Sequence, residues 1–240
     1  MKTKRVLIII PCYNEEKSIA SLIKACNELV IPGFQLTCLP INDYSRDQTL
    51  IQIKSNTNHY LDLTNNMGIG GAVQSGIKYA LLHQYDYAVQ MDGDGQHPPS
   101  ELHKLLQVAN EQQIDLCIGS RYLEPTGFQS SFLRRLGIRF LSKWIRLIAG
   151  VQVKDCTSGY RVFSAKAIQL FARYYPDKYP EPEVIVQAKA EGIQIKEVPV
   201  VMIDRVEGDS SISGFSTVYY MLKVALAIFF LRVHYLFKKK

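Results

Sequence analysis

The chain has 240 residues, 47% of them hydrophobic and 21% charged, which supplies a sizeable core for one large domain and excludes an intrinsically disordered chain. The five cysteines, Cys12, Cys26, Cys38, Cys117 and Cys156, form an odd set without a C-x-x-C pair, so neither a disulfide framework nor a zinc site is indicated and a reducing cytoplasm fits. The net charge of +6 is uneven, because Arg134, Arg135, Arg139, Lys143, Arg146 and Lys154 fall in the stretch 132–154 with no acidic residue among them. Such clustering calls for an anionic partner, and no recognised nucleic-acid module accompanies it.

In chain order, Met1 to Arg5 leads into the apolar run Val6 to Ile10, which ends at Pro11 without the small-residue cleavage site of a secretory signal and reads as a buried strand. Helix-like and strand-like segments then alternate: Glu15 to Leu29, Gln35 to Ile41, Arg46 to Lys54, His59 to Leu63, Ile69 to His83, Tyr87 to Met91, Ser100 to Glu111 and Ile114 to Ile118. This alternation predicts an α/β fold with a mostly parallel sheet flanked by helices, and ligands in such sheets bind at the carboxyl ends of the strands. The polar segments Pro11 to Glu16, Asn42 to Thr49, Asn65 to Gly71 and Asp92 to His97 fall at those ends, so four loops converge on one crevice. No repeat, low-complexity run or linker divides the chain, but near Phe132 it becomes cationic and amphipathic.

Side chains alternate in an extended segment, so Asp92 and Asp94 share one side while Gly93 and Gly95 leave room for a ligand. Two carboxylates on one face repel unless a cation lies between them, and oxygen donors suit Mg2+ or Mn2+ shared with substrate phosphates. Gln96 follows as a source of an amide oxygen or a partner for a metal-held water. A plain Asp-Gly turn with solvated carboxylates is the competing reading of an isolated D-G-D, and the other converging loops favour the metal. Asn65 to Gly71 is glycine-rich and opens a helix, which suits backbone amides close to a ligand; a plain flexible loop is its alternative.

The segments Pro11-Cys12-Tyr13-Asn14-Glu15-Glu16, Asn42 to Thr49, Asn65 to Gly71 and Asp92 to His97, in this order and spacing, resemble the family 2 inverting glycosyltransferases. Gly119-Ser120-Arg121-Tyr122, Asp155 to Arg161, Glu197-Val198-Pro199-Val200 and Arg205 to Ile212 resemble the polyprenyl-phosphate, dolichyl-phosphate mannosyltransferase-like branch, so that the likeness runs over roughly residues 5 to 215. The resemblance implies a GT-A (Rossmann-like) fold with Pro11, Tyr13, Glu15, Asp43, Asn65, Gly70 and Asp92 around a nucleotide-sugar donor and Asp92, Asp94 and Gln96 at a metal. Asn14 and Asp43 have bland alternatives as helix caps. Tyr44 departs from the family, which often has glycine there.

A phosphate monoester acceptor, with a second pKa near ~6, is largely dianionic at neutral pH and needs no general base, whereas a sugar hydroxyl needs one. Arginine grips phosphate oxygens in pairs, and Arg121, Arg134, Arg139 and Arg205 lie in segments resembling the acceptor-phosphate contacts of the branch; the choice between Arg134 and Arg135 is open by one residue. Asp94, Asp155 and Arg205 form the expected catalytic set, Asp155 either orienting the acceptor or acting as a base. A Q-x-x-R-W motif is absent, which favours single transfer over polymerisation. The function so implied is metal-dependent transfer of one sugar, UDP-glucose being the favoured donor among glucose, mannose and N-acetylglucosamine donors, to a polyprenyl phosphate for cell-envelope polysaccharide or glycan synthesis. Transfer to a saccharide hydroxyl is the alternative within enzymes, and a non-catalytic donor-binding or nucleic-acid-binding protein lies outside them.

Phe132 to Ile148 combines helically spaced basic residues with Leu136, Phe140, Leu147 and Ile148, a pattern that suits an interfacial membrane helix or a surface helix packed on the core. Val218 to Leu231, broken by Lys223 and followed by Arg232, His234 and Lys238 to Lys240, is short of the about 20 apolar residues of a span. The expected organisation is a catalytic domain over 1–215, containing the basic segment 132–148, and a C-terminal amphipathic interfacial helix over 216–240. That places the protein peripherally on the cytoplasmic face, against an anionic membrane surface, with the tail able to engage a small membrane partner, a second copy or its own domain.

Overall fold

The computed structural model describes residues 3–124, 127, 131–204 and 215–238, the side chains of 215–220 and 238 excepted. The elements run β1 (Lys4–Cys12), α1 (Ile19–Glu28), β2 (Phe34–Asn42), α2 (Thr49–Asn56), β3 (Leu61–Asp62), α3 (Gly68–Leu82), β4 (Tyr87–Gln90), α4 (Leu102–Glu111) and β5 (Leu116–Ser120). They continue through α5 (Phe132–Ala149), β6 (Arg161–Ser164), α6 (Ala165–Arg173), α7 (Pro180–Ala190), β7 (Ile195–Pro199) and α8 (Phe215–Lys238). The seven strands form one sheet in the order β3-β2-β1-β4-β6-β5-β7. Only β6 runs antiparallel, pairing with both β4 and β5, so the carboxyl ends of the other strands share one edge.

Helices cover both faces, which is why β1 is an unbroken apolar run: parallel strands buried on both sides need not alternate with polar residues. Leu7 and Ile9 join a core under α3, α5, α6, α7 and α8, while Val6, Ile8 and Ile10 join a second core under α1, α2 and α4. The chain leaves β1 toward β2 and later returns to its other side as β4, and this reversal opens a crevice at the strand ends.

α1 and α2 start later than their composition suggests, at Ile19 and Thr49, because the polar residues before them brace one another. Glu15 N–H donates to Thr49 Oγ1 (2.7 Å), Arg46 N–H to Asn14 Oδ1 (2.9 Å), and Gln48 N–H to Glu16 Oε2 (2.9 Å). Two rigid loops at the crevice are obtained at the expense of two helical turns. Tyr44 adopts φ 60°, which accounts for a glycine preference at this position, since the left-handed region crowds Cβ.

α5 is capped by the Ser131 hydroxyl, which accepts from Arg134 N–H (3.4 Å), and ends at Gly150 in the left-handed conformation. Its buried stripe, Ile138, Leu141, Ser142, Ile145 and Ala149, faces the core. α8 packs on α5 and α7 through Met221, Val224, Ala225, Ile228 and Tyr235. Trp144 Nε1–H donates to Ala225 O (3.0 Å) and Arg232 Nε–H to Ile148 O (3.0 Å), so the tail helix is fastened to the body of the protein. Among the described residues no helix is long and apolar enough to cross a membrane.

Candidate active site

A cavity of about 460 Å³ opens at the carboxyl ends of β1, β2 and β4, lined by Pro11, Cys12, Tyr13, Glu15, Asp43, Asn66, Gly68, Ile69, Ala72, Asp92, Gly93 and Asp94. Of the residues expected around a donor, Pro11, Tyr13, Glu15, Asp43 and Asp92 are on its wall. Asn65 and Gly70 are not. Asn65 points into solvent, and it is Asn66 that turns inward, donating from Nδ2 to Asp43 O (3.1 Å). Gly70 is a packing glycine: a Cβ there would meet Pro176 O at 2.3 Å and Asp177 Cα at 2.7 Å.

Asp43 is nearly enclosed, and its Oδ1 accepts the Met67 N–H at 2.6 Å. Burial raises its pKa, and the N–H groups of Met67 and Gly68 act in the opposite direction. The carboxylate therefore caps the turn entering α3 rather than the start of α2, holding the third loop against the second.

Asp94 is 5% exposed and accepts the Gln96 N–H at Oδ1 (3.0 Å). Gln96 contributes its backbone, also accepting from Ile203 N–H (3.2 Å), and its side chain is not on the cavity wall, so the expected amide ligand is replaced by a turn that orients Asp94. Asp92 receives help from His97, whose Nδ1 accepts the Asp92 N–H (3.0 Å) while its ring stacks on Tyr160 at 4.9 Å. Because Nδ1 is the acceptor, the ring is the neutral Nε2–H tautomer, and the 3.8 Å approach of Nδ1 to Asp92 Oδ2 is not an ion pair.

Glu15, Asp43, Asp92 and Asp94 give the cavity wall four carboxylates, and no lysine or arginine among the described residues lines it. A diphosphate would be repelled from that field unless a cation accompanied it. Among the described residues no group of three or more His, Cys, Asp or Glu could hold a metal alone, and a pair of carboxylates completed by substrate phosphates is how Mg2+ and Mn2+ are commonly held. The donor set thus fits a hard divalent cation at Asp92 and Asp94.

Behind this cavity lies a buried ion pair. Arg121, 5% exposed, donates from Nε to Asp155 Oδ2 (2.7 Å) and from Nη2 to Asp155 Oδ1 (2.8 Å), and its backbone N–H reaches Oδ2 (3.2 Å). Thr157 Oγ1–H adds a donor to Oδ1 (3.3 Å). Asp155 is 0% exposed and already accepts four hydrogen bonds, so it has no lone pair placed for a substrate proton; its expected role as a base gives way to fixing Arg121. The Lys154 and Asp155 N–H groups donate to the two oxygens of Glu197 (2.7 and 2.8 Å), tying the E-V-P-V segment to the same cluster. Burial opposes the charge on Arg121, but its hydrogen bonds to Asp155 more than offset this and raise its pKa, with Asp92 close enough to add to the effect.

Beyond Arg121, whose guanidinium lies 5.3 Å from the Tyr122 ring centroid, runs a second cavity of about 660 Å³. Tyr122, Phe132, Leu136, Ile138 and Val153 form its apolar lining and Arg135, Arg139, Lys143 and Lys154 its cationic one. Of the two neighbouring arginines, Arg135 lines this groove with Arg139, whereas Arg134 is exposed and is not on its wall. Arg205 lies outside the described residues.

A mostly parallel sheet flanked by helices, with an acidic crevice at its strand ends, is a GT-A type arrangement. The chain belongs to glycosyl transferase family 2, whose match spans residues 7–171, and is a glycosyltransferase. It is 30% identical over 237 residues to the polyprenol monophosphomannose synthase of Mycolicibacterium smegmatis, covering 93% of this chain and 86% of that protein. It is 29% identical to the UDP-N-acetylglucosamine–dolichyl-phosphate N-acetylglucosaminyltransferase of Methanococcus voltae, covering 94% and 98%. Among solved structures, glucosyl-3-phosphoglycerate synthase of Mycobacterium tuberculosis, in complex with Mn2+, UDP-glucose and glycerol 3-phosphate, superposes with a TM-score of 0.70 at 18% identity, covering 96% of this chain and 80% of that one. That likeness speaks for the fold.

Proposed function

We propose that the protein transfers a single sugar from a nucleotide-sugar donor, held with Mg2+ or Mn2+ in the carboxylate cavity, to the phosphate of a polyprenyl phosphate held along α5. The reading rests on one juxtaposition: a cavity lined by carboxylates and a groove lined by arginine, lysine and apolar side chains, separated by the Arg121–Tyr122 step. Arg135, Arg139 and Lys143 supply charge for a phosphate, and Phe132, Leu136 and Ile138 supply surface for isoprenoid carbon. Names of both relatives include a polyprenyl or dolichyl phosphate, which supports this acceptor; they differ in the sugar, so UDP-glucose is the first donor to test rather than a consequence of kinship.

When bound, the cation would stabilise charge on the departing diphosphate. Asp92 and Asp94 hold their carboxylates on the cavity wall for it, and Tyr13 offers its exposed ring to a base. No proton need be removed from a phosphate dianion, in keeping with an Asp155 that is fully engaged with Arg121.

We also propose a peripheral position on the cytoplasmic face, with the catalytic domain over 1–215 and the C-terminal helix over 216–240 lying in the interface. Phe132, Leu133, Leu136, Phe140 and Leu147 of α5, and Leu222, Leu226, Phe229, Phe230, Leu236 and Phe237 of α8, are exposed beside basic residues, which supports an anionic lipid surface as their cover. Because α8 also fills the core, deletion would confound the test, and Phe230→Glu with Phe237→Glu should instead abolish flotation with anionic vesicles. For the reaction, labelled sugar should appear in a lipid extract in the presence of polyprenyl phosphate; label confined to a water-soluble glycan would replace this acceptor with a saccharide hydroxyl.

A further inference from the structure

β4 ends at Gln90, the one amide side chain in the otherwise apolar Ala88-Val89-Gln90-Met91, and Asp92 follows two residues on. It is 0% exposed. A buried amide is unfavourable unless its hydrogen bonds are made, so the partners of Gln90 report what it is for. Side chains two apart on a strand share a face, and Gln90 Nε2–H donates to Asp92 Oδ1 at 3.4 Å. Its other end, Oε1, accepts the hydroxyl of Tyr175 at 3.1 Å. The orientation of the amide is determined by chemistry: a carboxylate can only accept, so the NH2 must face Asp92 and the oxygen must face Tyr175. Tyr175 is itself immobilised by edge contacts with Phe163 and Phe171 at 6.5 and 5.8 Å.

Two further elements close around the same carboxylate. The backbone at Gly159 forms its floor, since a Cβ there would lie 2.6 and 2.7 Å from the Asp92 oxygens. His97 holds the Asp92 main chain from the other side.

We infer that Gln90, oriented by Tyr175, is a positioning residue for Asp92: it fixes the rotamer in which the carboxylate meets the cation of the donor complex. The inference rests on the metal reading of Asp92 and Asp94 given above. Neither residue is on the cavity wall; Gln90 also hydrogen-bonds to the buried Glu181 carboxyl, which helps hold the amide in place, and both residues act through Asp92, as outer-shell partners commonly do with about 10- to 100-fold effects on metal affinity.

The test is titration of Mn2+ in the presence of UDP or GDP, whichever the wild-type protein binds more tightly, followed by calorimetry and by the electron paramagnetic resonance signal of free Mn2+. Gln90→Met keeps the volume and removes the amide; Tyr175→Phe keeps the ring and removes only the hydroxyl. Gln90→Met is expected to weaken Mn2+ binding about tenfold, at the lower end of the range for such partners, and Tyr175→Phe, one step further from the carboxylate, about threefold. Tyr175→Phe should add nothing to the loss of Mn2+ affinity in the Gln90→Met background, because its effect is relayed through the amide; a merely structural role would lower the melting temperature and leave Mn2+ affinity unchanged. Should Gln90→Met not fold, Tyr175→Phe alone carries the comparison. Folded variants that bind Mn2+ as the wild type does overturn the inference and leave the proposed function standing. A wild-type protein that binds no Mn2+ with either nucleotide overturns the metal reading and this inference with it.

Discussion

The carboxylate-lined cavity and the groove along α5 are built in opposite ways. The cavity carries Glu15, Asp43, Asp92 and Asp94, all on loops at strand ends; hydrogen bonds join the loops at Glu15 and Asp43, and Asp94 is held by a bond within its own loop. The groove is lined by side chains of a single amphipathic helix, by Tyr122 and by the strand-free segment at Val153 and Lys154, and combines cationic with apolar groups. The contrast teaches that one fold can set two opposite electrostatic environments side by side: an acidic crevice assembled from loops, and a cationic, apolar groove presented by one helix. Between them sits the Arg121–Asp155 pair, buried and saturated, which joins the two without belonging wholly to either.

The contrast can be broken most severely at that joint. Asp155→Ala leaves Arg121 charged and buried, and should lower stability by about 3–5 kcal/mol, read from urea denaturation. A loss below about 1 kcal/mol, the scale of exposed pairs, would mean that Arg121 finds other partners and is free to serve substrate directly.

Asp94→Ala acts inside the cavity. Turnover should fall about 10²- to 10³-fold, the scale of losing a group that stabilises developing charge, with the melting temperature little changed; unaltered turnover would remove the metal from the reading. Gly159→Ala tests the floor under Asp92 and should cost about 1–3 kcal/mol by overpacking and weaken Mn2+ binding, whereas full Mn2+ affinity would show that the carboxylate can move aside.

On the groove side, Arg139→Ala should raise the acceptor KM about tenfold, the loss of one charged hydrogen bond of about 1.5 kcal/mol, with the donor KM unchanged. Equal effects on both would dissolve the division between the two regions.

The smallest effect concerns pH. Burial, reinforced by Asp177 and Glu181, raises the Glu183 pKa from 4.5 to about 7. The native protein therefore holds this proton more strongly than the unfolded chain, so the stabilisation is complete below about 4.5 and is lost as pH rises through about 7. Glu183→Gln should flatten that decline in melting temperature between pH 5 and 8; an unchanged slope would assign it to another group.

Much of the fold was legible in the chain because buried parallel strands are long apolar runs and the polar loops recur at their ends. β6, α6, α7 and β7 carry no comparable sequence signal. α7 is buried almost all round, through Val184, Ile185, Val186, Gln187 and Ala188, and so lacks the one-sided periodicity that marks a surface helix. β6 is four residues long and antiparallel, without a pattern of its own. The D-G-D carboxylates, Pro11, Tyr13, Glu15 and Asp43, expected from motif and position, share one cavity wall. That Asn66 rather than Asn65, and Arg135 rather than Arg134, lines a cavity was not legible in the sequence, since a one-residue shift in a loop or helix reverses which side chain faces inward.

What the amino-acid sequence determined by itself is therefore the family, the α/β architecture and the chemical character of the two regions, because these depend on which residue types recur at which strand ends. The tertiary structure alone decided partnerships: Asp155 with Arg121, Asp43 with Met67, Gln90 with Asp92 and Tyr175. Each of these joins residues from different strands, loops or helices, or depends on the exact rotation of a buried side chain. Whether a carboxylate serves as base, cap, ligand or counter-ion follows from the donors around it, and packing sets those donors.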